Sequence, residues 1–485
     1  MTAARDAFAQ TLKDAAFYEP ESIALATEVL ARCEETKLET IRLAFVDQHG
    51  ILRGKTIVAD ALASTFKSGI GVPSTLLLKD TSHRTVFPIW DAEVSVAGQS
   101  FGGASDVILR PDPRQFYPLP WSPHSVILLC DVYHRSAKRV EFSSSAVLAR
   151  AVQKLDVAGY RAVFGLEVEF QVFQRIDPAL NHNQATMPPA PVQTQNLTQG
   201  HQYLTETRYG EAEALLDHLR RMAQGLGLQP RSMEIEMGPS QFEFTFAPSD
   251  PETQANRFVL FRKMLKEVCH ARGLHASFMP KPNLPNAAAN GWHIHQSLVD
   301  LKTDVAVFRP DGPGQISNKA SAWIAGLLTH ASSSCLLTNP TVNSYKRFSP
   351  FQLAPNSIQW GHDNRGAMIR ALFDPADPAS RIENRIPDTA ANPHFAFAAQ
   401  ILAGLDGLTN GLTAPPASEN PYSDEAEDLP DSLHAAIDAF ETCDFYKEAL
   451  GPAFVDYLVT LKRAEWDRYL RVVSDWEQQE YFGLF

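Results

Sequence analysis

The chain has 485 residues, a net charge of −13, and ordinary hydrophobic (44%) and charged (20%) fractions. That is long enough for two or three soluble domains, and the acidity argues against nucleic acid or an anionic membrane as a partner. No apolar run approaches the ~20 residues needed to span a bilayer; the first residues lack the apolar core of a secretion signal, and five scattered cysteines without a CxxC pair fit free thiols in a reducing cytoplasm.

Residues 1–35 read as a helix. Residues 40–58 read as two strands around a turn at His49-Gly50. The Pro-rich stretch from Arg110-Pro-Asp-Pro to Trp121-Ser-Pro is expected to break regular structure. A boundary near 135–142 divides the chain into domains of 1–138 and 139–485. Residues 144–158 look helical and lead into Phe164-Gly-Leu-Glu167-Val-Glu169-Phe170. As a strand, this segment points both carboxylates from one face while Leu166, Val168 and Phe170 pack behind. Two acids on one face of a core strand are costly without a cation or a proton, so the pair points to a metal. Residues 178–200 read as a long surface loop, 210–226 and 252–272 as helices, and 414–432 as an acidic connection to a helical C-terminus. There is no internal repeat.

The spacing recurs. Glu234-Ile-Glu236 is followed by Gln241-Phe-Glu243, His293-Ile-His295 lies in an apolar run, and Glu383-Asn-Arg385 repeats the pattern with Asn384 interrupting it. One such strand is more simply a solvated edge. Four are most economically explained by an antiparallel sheet whose polar face lines one cavity. Carboxylates with one or two histidines suit Mg²⁺ or Mn²⁺. So many acids around one cavity call for two or more divalent ions, which phosphoryl transfer from ATP uses. Arg347, Arg365, Arg370, Arg381 and Arg385 fall within forty residues. Acids are nearly as frequent there, so this is no basic patch; guanidinium forks suit a substrate carboxylate and phosphoryl oxygens. No GxxxxGK[ST] is present, which excludes a P-loop.

Together these segments resemble the glutamine synthetase family. The matching motifs are Gly165-Leu-Glu-Val-Glu-Phe170, Glu236 to Gln241-Phe-Glu243, Phe278-Met-Pro-Lys-Pro282, Gly291-Trp-His-Ile-His-Gln-Ser297, Asn339-Pro to Asn343-Ser-Tyr-Lys-Arg347, Asn364-Arg365 and Arg381-Ile-Glu-Asn-Arg-Ile-Pro-Asp388. Asp47 to Lys55 is similar to the family's N-terminal signature. The resemblance implies an α+β fold, with a small N-terminal β-grasp domain and a catalytic domain built on a curved antiparallel sheet with helices. It implies a homo-oligomer, commonly a dodecamer of two stacked hexamers with active sites between subunits. It implies ATP as co-substrate and two or three Mg²⁺ or Mn²⁺ ions per site. By motif position, Glu169, Glu236 and Glu243 would hold one ion, and Glu167, His293 and Glu383 the second. Arg347 and Arg385 would bind glutamate. Arg365 and Arg370 would face the phosphates. His295, Ser297 and Arg381 would line the nucleotide pocket. Arg347, Arg365 and Glu236 carry the catalytic roles. The implied reaction is phosphorylation of the glutamate γ-carboxylate by ATP, followed by attack of an amine.

The chain departs from ammonium-using members at the flap. Their pattern, Arg-Leu-x-Pro-Gly-Tyr-Glu-Ala-Pro, is here Arg347-Phe-Ser-Pro-Phe-Gln-Leu353-Ala-Pro355, so leucine replaces the ammonium-binding glutamate. The Asp-Gly-Ser-Ser element is absent, and Asp80, in Ser74-Thr-Leu-Leu-Leu-Lys-Asp80, is the acceptor-side candidate in its place. These features resemble the branch that makes γ-glutamyl amides from organic amines. Phe348, Phe351 and Leu353 favour a hydrophobic or aromatic monoamine of the aniline or alkylamine type over a polyamine, whose distal cation needs acidic or aromatic partners. Polyamine ligation, glutamine synthesis from ammonium and a catalytically silent regulatory role remain the alternatives.

Overall fold

A computed structural model describes residues 2–15, 18–91, 95–177, 181–348, 354–423 and 425–485. The fold is α+β. Residues 1–35 form two helices, Thr2–Ala15 and Pro20–Glu35, rather than one. Pro20 has no N–H to continue a helix and sits at the start of the second, where that N–H is unneeded. Strands Thr40–Val46 and Leu52–Val58 pair as a hairpin, and Gly50 supplies the positive φ of +71° at the turn. They join Ser125–Tyr133, Asp106–Pro118 and Ile70–Pro73 in one five-stranded sheet. That sheet is mixed, because Thr40–Val46 runs parallel to Ser125–Tyr133.

The Pro-rich stretch corrects an expectation. Arg110-Pro-Asp-Pro lies inside the strand Asp106–Pro118 rather than breaking it. The pairing with Ser125–Tyr133 shifts register between Pro111 and Phe116, and this irregularity accommodates prolines that cannot donate to the ladder.

The larger sheet has nine strands, and the 16-residue Tyr160–Arg175 is its spine. On one side Tyr160–Arg175 pairs with Gln241–Ser249, which pairs with Pro230–Ile235. On the other it pairs with Trp292–Asp300, followed by Arg381–Asn384, Ile369–Leu372 and Trp360–His362. The sheet is antiparallel except for its last pair, Trp360–His362 and Ile369–Leu372, which is parallel.

The back of the spine is aromatic. Phe164 meets Phe397 edge-on at 4.8 Å, and Phe170 packs against Phe261 and Phe278 at 5.7 Å. Trp292 stacks on Phe258 at 4.3 Å. Phe258 and Phe261 come from the helix Pro251–Ala271, and Phe397 from the helix Pro393–Asn410. Both helices lie behind the sheet, so Ala162, Phe164, Leu166, Val168, Phe170 and Val172 are buried there, while Glu167 and Glu169 face the opposite side. Asn384 does not spoil this alternation. It turns to the back, where Asn384 Nδ2 and Gln296 Nε2 donate to Gln400 Oε1 at 2.7 and 2.9 Å. A buried amide with its partners in place costs little.

Candidate active site

Strand register assembles the polar face. Glu169 lies opposite Glu243, and Glu243 opposite Glu234. One step along the spine, Glu167 lies opposite His293. His295 lies opposite Glu383, and Glu383 opposite Arg370. Three sets of ligating atoms therefore converge within 4.8 Å of one another: Glu169, Glu236 and Glu243; Glu167, Glu243 and His293; Glu167, His295 and Glu383. The first is the set expected for one ion. The residues expected for the second also converge, with His293 Nδ1 at 3.1 Å from Glu167 Oε2 and 3.6 Å from Glu383 Oε1. His295 adds an unforeseen contact, 2.8 Å from Nε2 to Glu167 Oε1.

Gly291 is where these groups close on the backbone. Its N–H donates to Glu169 Oε2 at 2.7 Å. A Cβ there would sit 2.8 Å from His293 Nε2, 3.1 Å from Glu169 Oε1 and 3.3 Å from Arg347 Nη2. Only glycine lets three side chains approach so closely.

The electrostatics divide the site. Burial, the neighbouring Glu169 charge and further acids push the Glu236 carboxyl up to about 8. Burial and the charges of Glu167, Glu169 and Glu236 push Glu243 well above the carboxylate range. Burial also opposes ionisation of Glu167, but hydrogen bonds from His293 and His295 outweigh it and hold the carboxyl far below its ordinary value. At Glu383 burial is likewise outweighed, by Arg385, His293 and His295. The Glu169–Glu236–Glu243 set has hard oxygen donors, and no lysine or arginine pairs with Glu236 or Glu243 among the described residues. That is the donor chemistry of a divalent-cation site.

The expected nucleotide-pocket residues also come together. His295, Ser297 and Arg381 line a pocket of about 660 Å³ beside Glu167. Arg381 Nε donates to His295 Nδ1 at 3.1 Å, which leaves Nε2 as the protonated nitrogen facing Glu167. Phe246, Pro248 and Arg231 line the same pocket and were not singled out from the sequence. Phe246 and Pro248 continue the strand bearing Glu243, which was the available signal.

The arginines are placed unequally. Arg370 Nη1 reaches Glu383 Oε2 at 3.0 Å, and Arg385 Nη1 donates to Glu383 Oε1. Arg347 is 3% exposed and donates to the Ile386 and Pro387 carbonyls at 2.7 and 3.2 Å, while its Nε finds no partner among the described residues. Arg365 is exposed, and its backbone carbonyl accepts from Arg385 Nε at 3.1 Å. Tyr203 was also missed. Its phenol is pushed up to about 12 by burial and by the charges of Glu236, Glu243 and Glu234, which locates it at the acidic rim.

Asp80 is a correction. It is 4% exposed, accepts from the Arg84 N–H at 2.9 Å and is bound by Arg468 Nη1 from the helix Pro452–Tyr469. A carboxylate already satisfied by a guanidinium and a backbone N–H is not free to take an amine. Leu353 and Phe351 lie outside the described residues; Phe348 meets Tyr345 edge-on at 6.0 Å.

Residues 143–481 match the family described as glutamine synthetase, catalytic domain. The γ-glutamylanilide synthase of an Acinetobacter species is 34% identical over 478 residues, spanning 95% of this chain and 96% of its own length. The glutamate–methylamine ligase of Methyloversatilis universalis is 31% identical, spanning 93% and 98%. The glutamine synthetase of Mycolicibacterium smegmatis is also 31% identical, spanning 94% and 98%. Among solved structures, the ADP complex of GmaS superposes with a TM-score of 0.79 at 28% identity, covering 94% of this chain and 99% of that one.

Proposed function

The chain belongs to the glutamine synthetase family, and on that premise we propose that it is an ATP-dependent ligase joining the γ-carboxylate of glutamate to an organic amine through a γ-glutamyl phosphate. The observation that carries this reading is the polar face of the nine-stranded sheet. There, carboxylate sets sharing Glu167 and Glu243 adjoin a 660 Å³ pocket and a cluster of arginines. The names of the anilide- and methylamine-forming relatives support an organic amine, and the ADP bound in the GmaS structure supports the nucleotide.

In this reading Glu169, Glu236 and Glu243 hold one Mg²⁺ or Mn²⁺, and Glu167, His293 and Glu383 hold another. When bound, such ions neutralise phosphate charge and align the transferring group. The protein's own groups orient the rest. Arg381 fixes the His295 tautomer, and His295 in turn donates to Glu167. Glu383 holds Arg370 and Arg385 in place through an ion pair with each. Arg347 brings a buried, unspent Nε–H to the glutamate side. Arg365 and Arg370 face the phosphoryl oxygens, His295, Ser297 and Arg381 the nucleotide. Glu236 and Tyr203 bound the acceptor side.

The acceptor is a hydrophobic or aromatic monoamine. Leu353 cannot bind a cation, and Met237, directly after Glu236 and 44% exposed, adds apolar surface there. The domains divide at 138/139. The assembly is a dodecamer of two hexamers: Leu470, Val473, Trp476, Phe482, Leu484 and Phe485 are exposed on one chain and suit contacts with other copies. No helix among the described residues is long and apolar enough to cross a membrane, and no cysteine is in a disulfide, which supports a cytoplasmic site.

The test is phosphate release with glutamate and Mn²⁺ across anilines, alkylamines, ethanolamine, polyamines and ammonium, with mass spectrometry of the product. Release led by an aniline or alkylamine is expected. Release led by a polyamine or by ammonium replaces the acceptor, and if no amine in the panel stimulates release above the ammonium level, the organic-amine reading fails. Leu353→Glu should raise ammonium use relative to a bulky amine; an unchanged ratio removes the flap as the selector.

A further inference from the structure

A second cavity, of about 540 Å³, lies between the five-stranded sheet and the helices behind the nine-stranded one. Phe45, Leu129 and Val132 of the five-stranded sheet give it an apolar wall. Asp250 and Glu252, at the start of the helix Pro251–Ala271, stand at its exposed mouth. His394 also lines it and is only 2% exposed. Its Nε2 lies 3.2 Å from Asn256 Oδ1. Asn256 Nδ2 donates to Gln115 Oε1 at 3.0 Å, so Asn256 Oδ1 is an acceptor and His394 Nε2 carries the proton. His394 Nδ1 is therefore a bare acceptor, buried and without a partner among the described residues.

We propose that this cavity is a second ligand site, for a short aliphatic diamine. The charged groups set the class. Arg114 is spent on Asp112, at 2.7 Å, and Arg139 on Asp131, at 2.5 Å. Asp250 caps its helix by accepting from the Thr253 N–H at 2.9 Å, while Glu252 has neither a hydrogen bond nor an ion pair among the described residues. Partial burial and Asp250 push the Glu252 carboxyl up despite Arg114 and Arg139, as expected of an acid short of a cation. Asp131 accepts from Arg139 and Ser145 through Oδ1 alone. The open groups are thus Glu252, Asp131 Oδ2 and His394 Nδ1, all acceptors, against one unpartnered donor, Arg139 Nε. A ligand rich in donors satisfies them. Asp250 and Glu252 already occupy the positive end of the helix, which disfavours an anion. Among the described residues, the groups close enough to share a metal ion lie elsewhere, on the polar face of the nine-stranded sheet, so these acids do not form an ion site.

The ligand needs two amino groups because the open acceptors are apart. Glu252 and Asn256 stand one helical turn from each other, and His394 lies beyond Asn256. One ammonium pairs with Glu252 at the mouth. The second amino group donates to His394 Nδ1, with the Asp131 carboxylate in the same cavity to offset its charge, and the methylenes between them cover Phe45, Leu129 and Val132. Bound in this way, the diamine ties the five-stranded sheet to the helices Pro251–Ala271 and Pro393–Asn410. Phe258 and Phe397 of those helices pack on Trp292 and Phe164 of the metal-bearing sheet, so the ligand stabilises the fold without touching a ligase group.

The test is calorimetric titration of the full chain, free of metal and nucleotide, with putrescine, butylamine and norvaline. Putrescine should bind about tenfold or more tighter than butylamine, which lacks the second donor. Glu252→Gln should weaken putrescine binding by about tenfold or more, and His394→Leu likewise. No heat with putrescine, butylamine binding as tightly, norvaline binding more tightly than putrescine, or an unchanged affinity in Glu252→Gln overturns the proposal. Glu252 is at the surface, so that variant decides even where His394→Leu does not fold. Neither residue belongs to the ligase site, so their variants report on the cavity whichever acceptor the enzyme uses.

Discussion

Glu236→Gln should have opposite effects with and without metal. Below pH 4.5 the Glu236 carboxyl is protonated in both folded and unfolded chains and costs nothing. Between pH 4.5 and about 8 only the unfolded chain ionises, so the metal-free fold loses stability as pH rises. At pH 7, two and a half units above 4.5, about 1.4 kcal/mol per unit makes the loss about 3 kcal/mol. Glutamine keeps the side-chain shape without the charge, so the metal-free variant should be more stable than wild type by up to about 3 kcal/mol. With a divalent ion the order reverses. A ligand at a hundredfold excess over its dissociation constant stabilises by about 2.7 kcal/mol, and Glu236→Gln forfeits much of that gain. Urea denaturation of both proteins at pH 7, in chelator and in Mn²⁺, measures the four stabilities. A metal-free variant no more stable than wild type, or an equal Mn²⁺ gain in both, would refute the reasoning.

Glu167→Ala and Glu169→Ala should each abolish ATP-dependent amide synthesis while leaving the oligomer intact on size exclusion; near-wild-type rates in either variant remove that residue from the metal set. Gly291→Ala forces a methyl within 2.8 Å of His293 Nε2 and 3.1 Å of Glu169 Oε1, so turnover should fall at least tenfold with the overall fold retained, by activity and circular dichroism. His394, buried beside Asn256, is held neutral by burial and by Arg262, down to about 3. Above pH 6.5 it is neutral in both states; below, only the unfolded chain gains the proton, so from pH 6.5 to 5 the fold loses about 2 kcal/mol through this group. His394→Gln should flatten that part of the stability profile, and an unchanged slope would count against it.

The alternation of Glu167 with Glu169, and of His293 with His295, was legible from the chain because a strand's two-residue period is a local stereochemical fact. Residues i and i+2 share a face whatever the rest of the molecule does. The motif order likewise identified the family, and the burial of Leu166, Val168 and Phe170 behind the spine followed from the same alternation. Register between strands is not local. Only the folded sheet sets Gln241–Ser249 on one side of the spine and Trp292–Asp300 on the other, so that Glu243 serves two donor sets and His295 as well as His293 touches Glu167. The same limit explains Asp80. Its partner Arg468 is 388 residues away, and no spacing rule in the chain foretells an ion pair closed by a C-terminal helix. It explains Arg110-Pro-Asp-Pro too, since a strand tolerates prolines only where its neighbour's register leaves their missing N–H unneeded. Sequence by itself thus determined which chemical groups share a face; tertiary structure decided which of them meet, because register and helix docking are settled by packing among residues far apart in the chain.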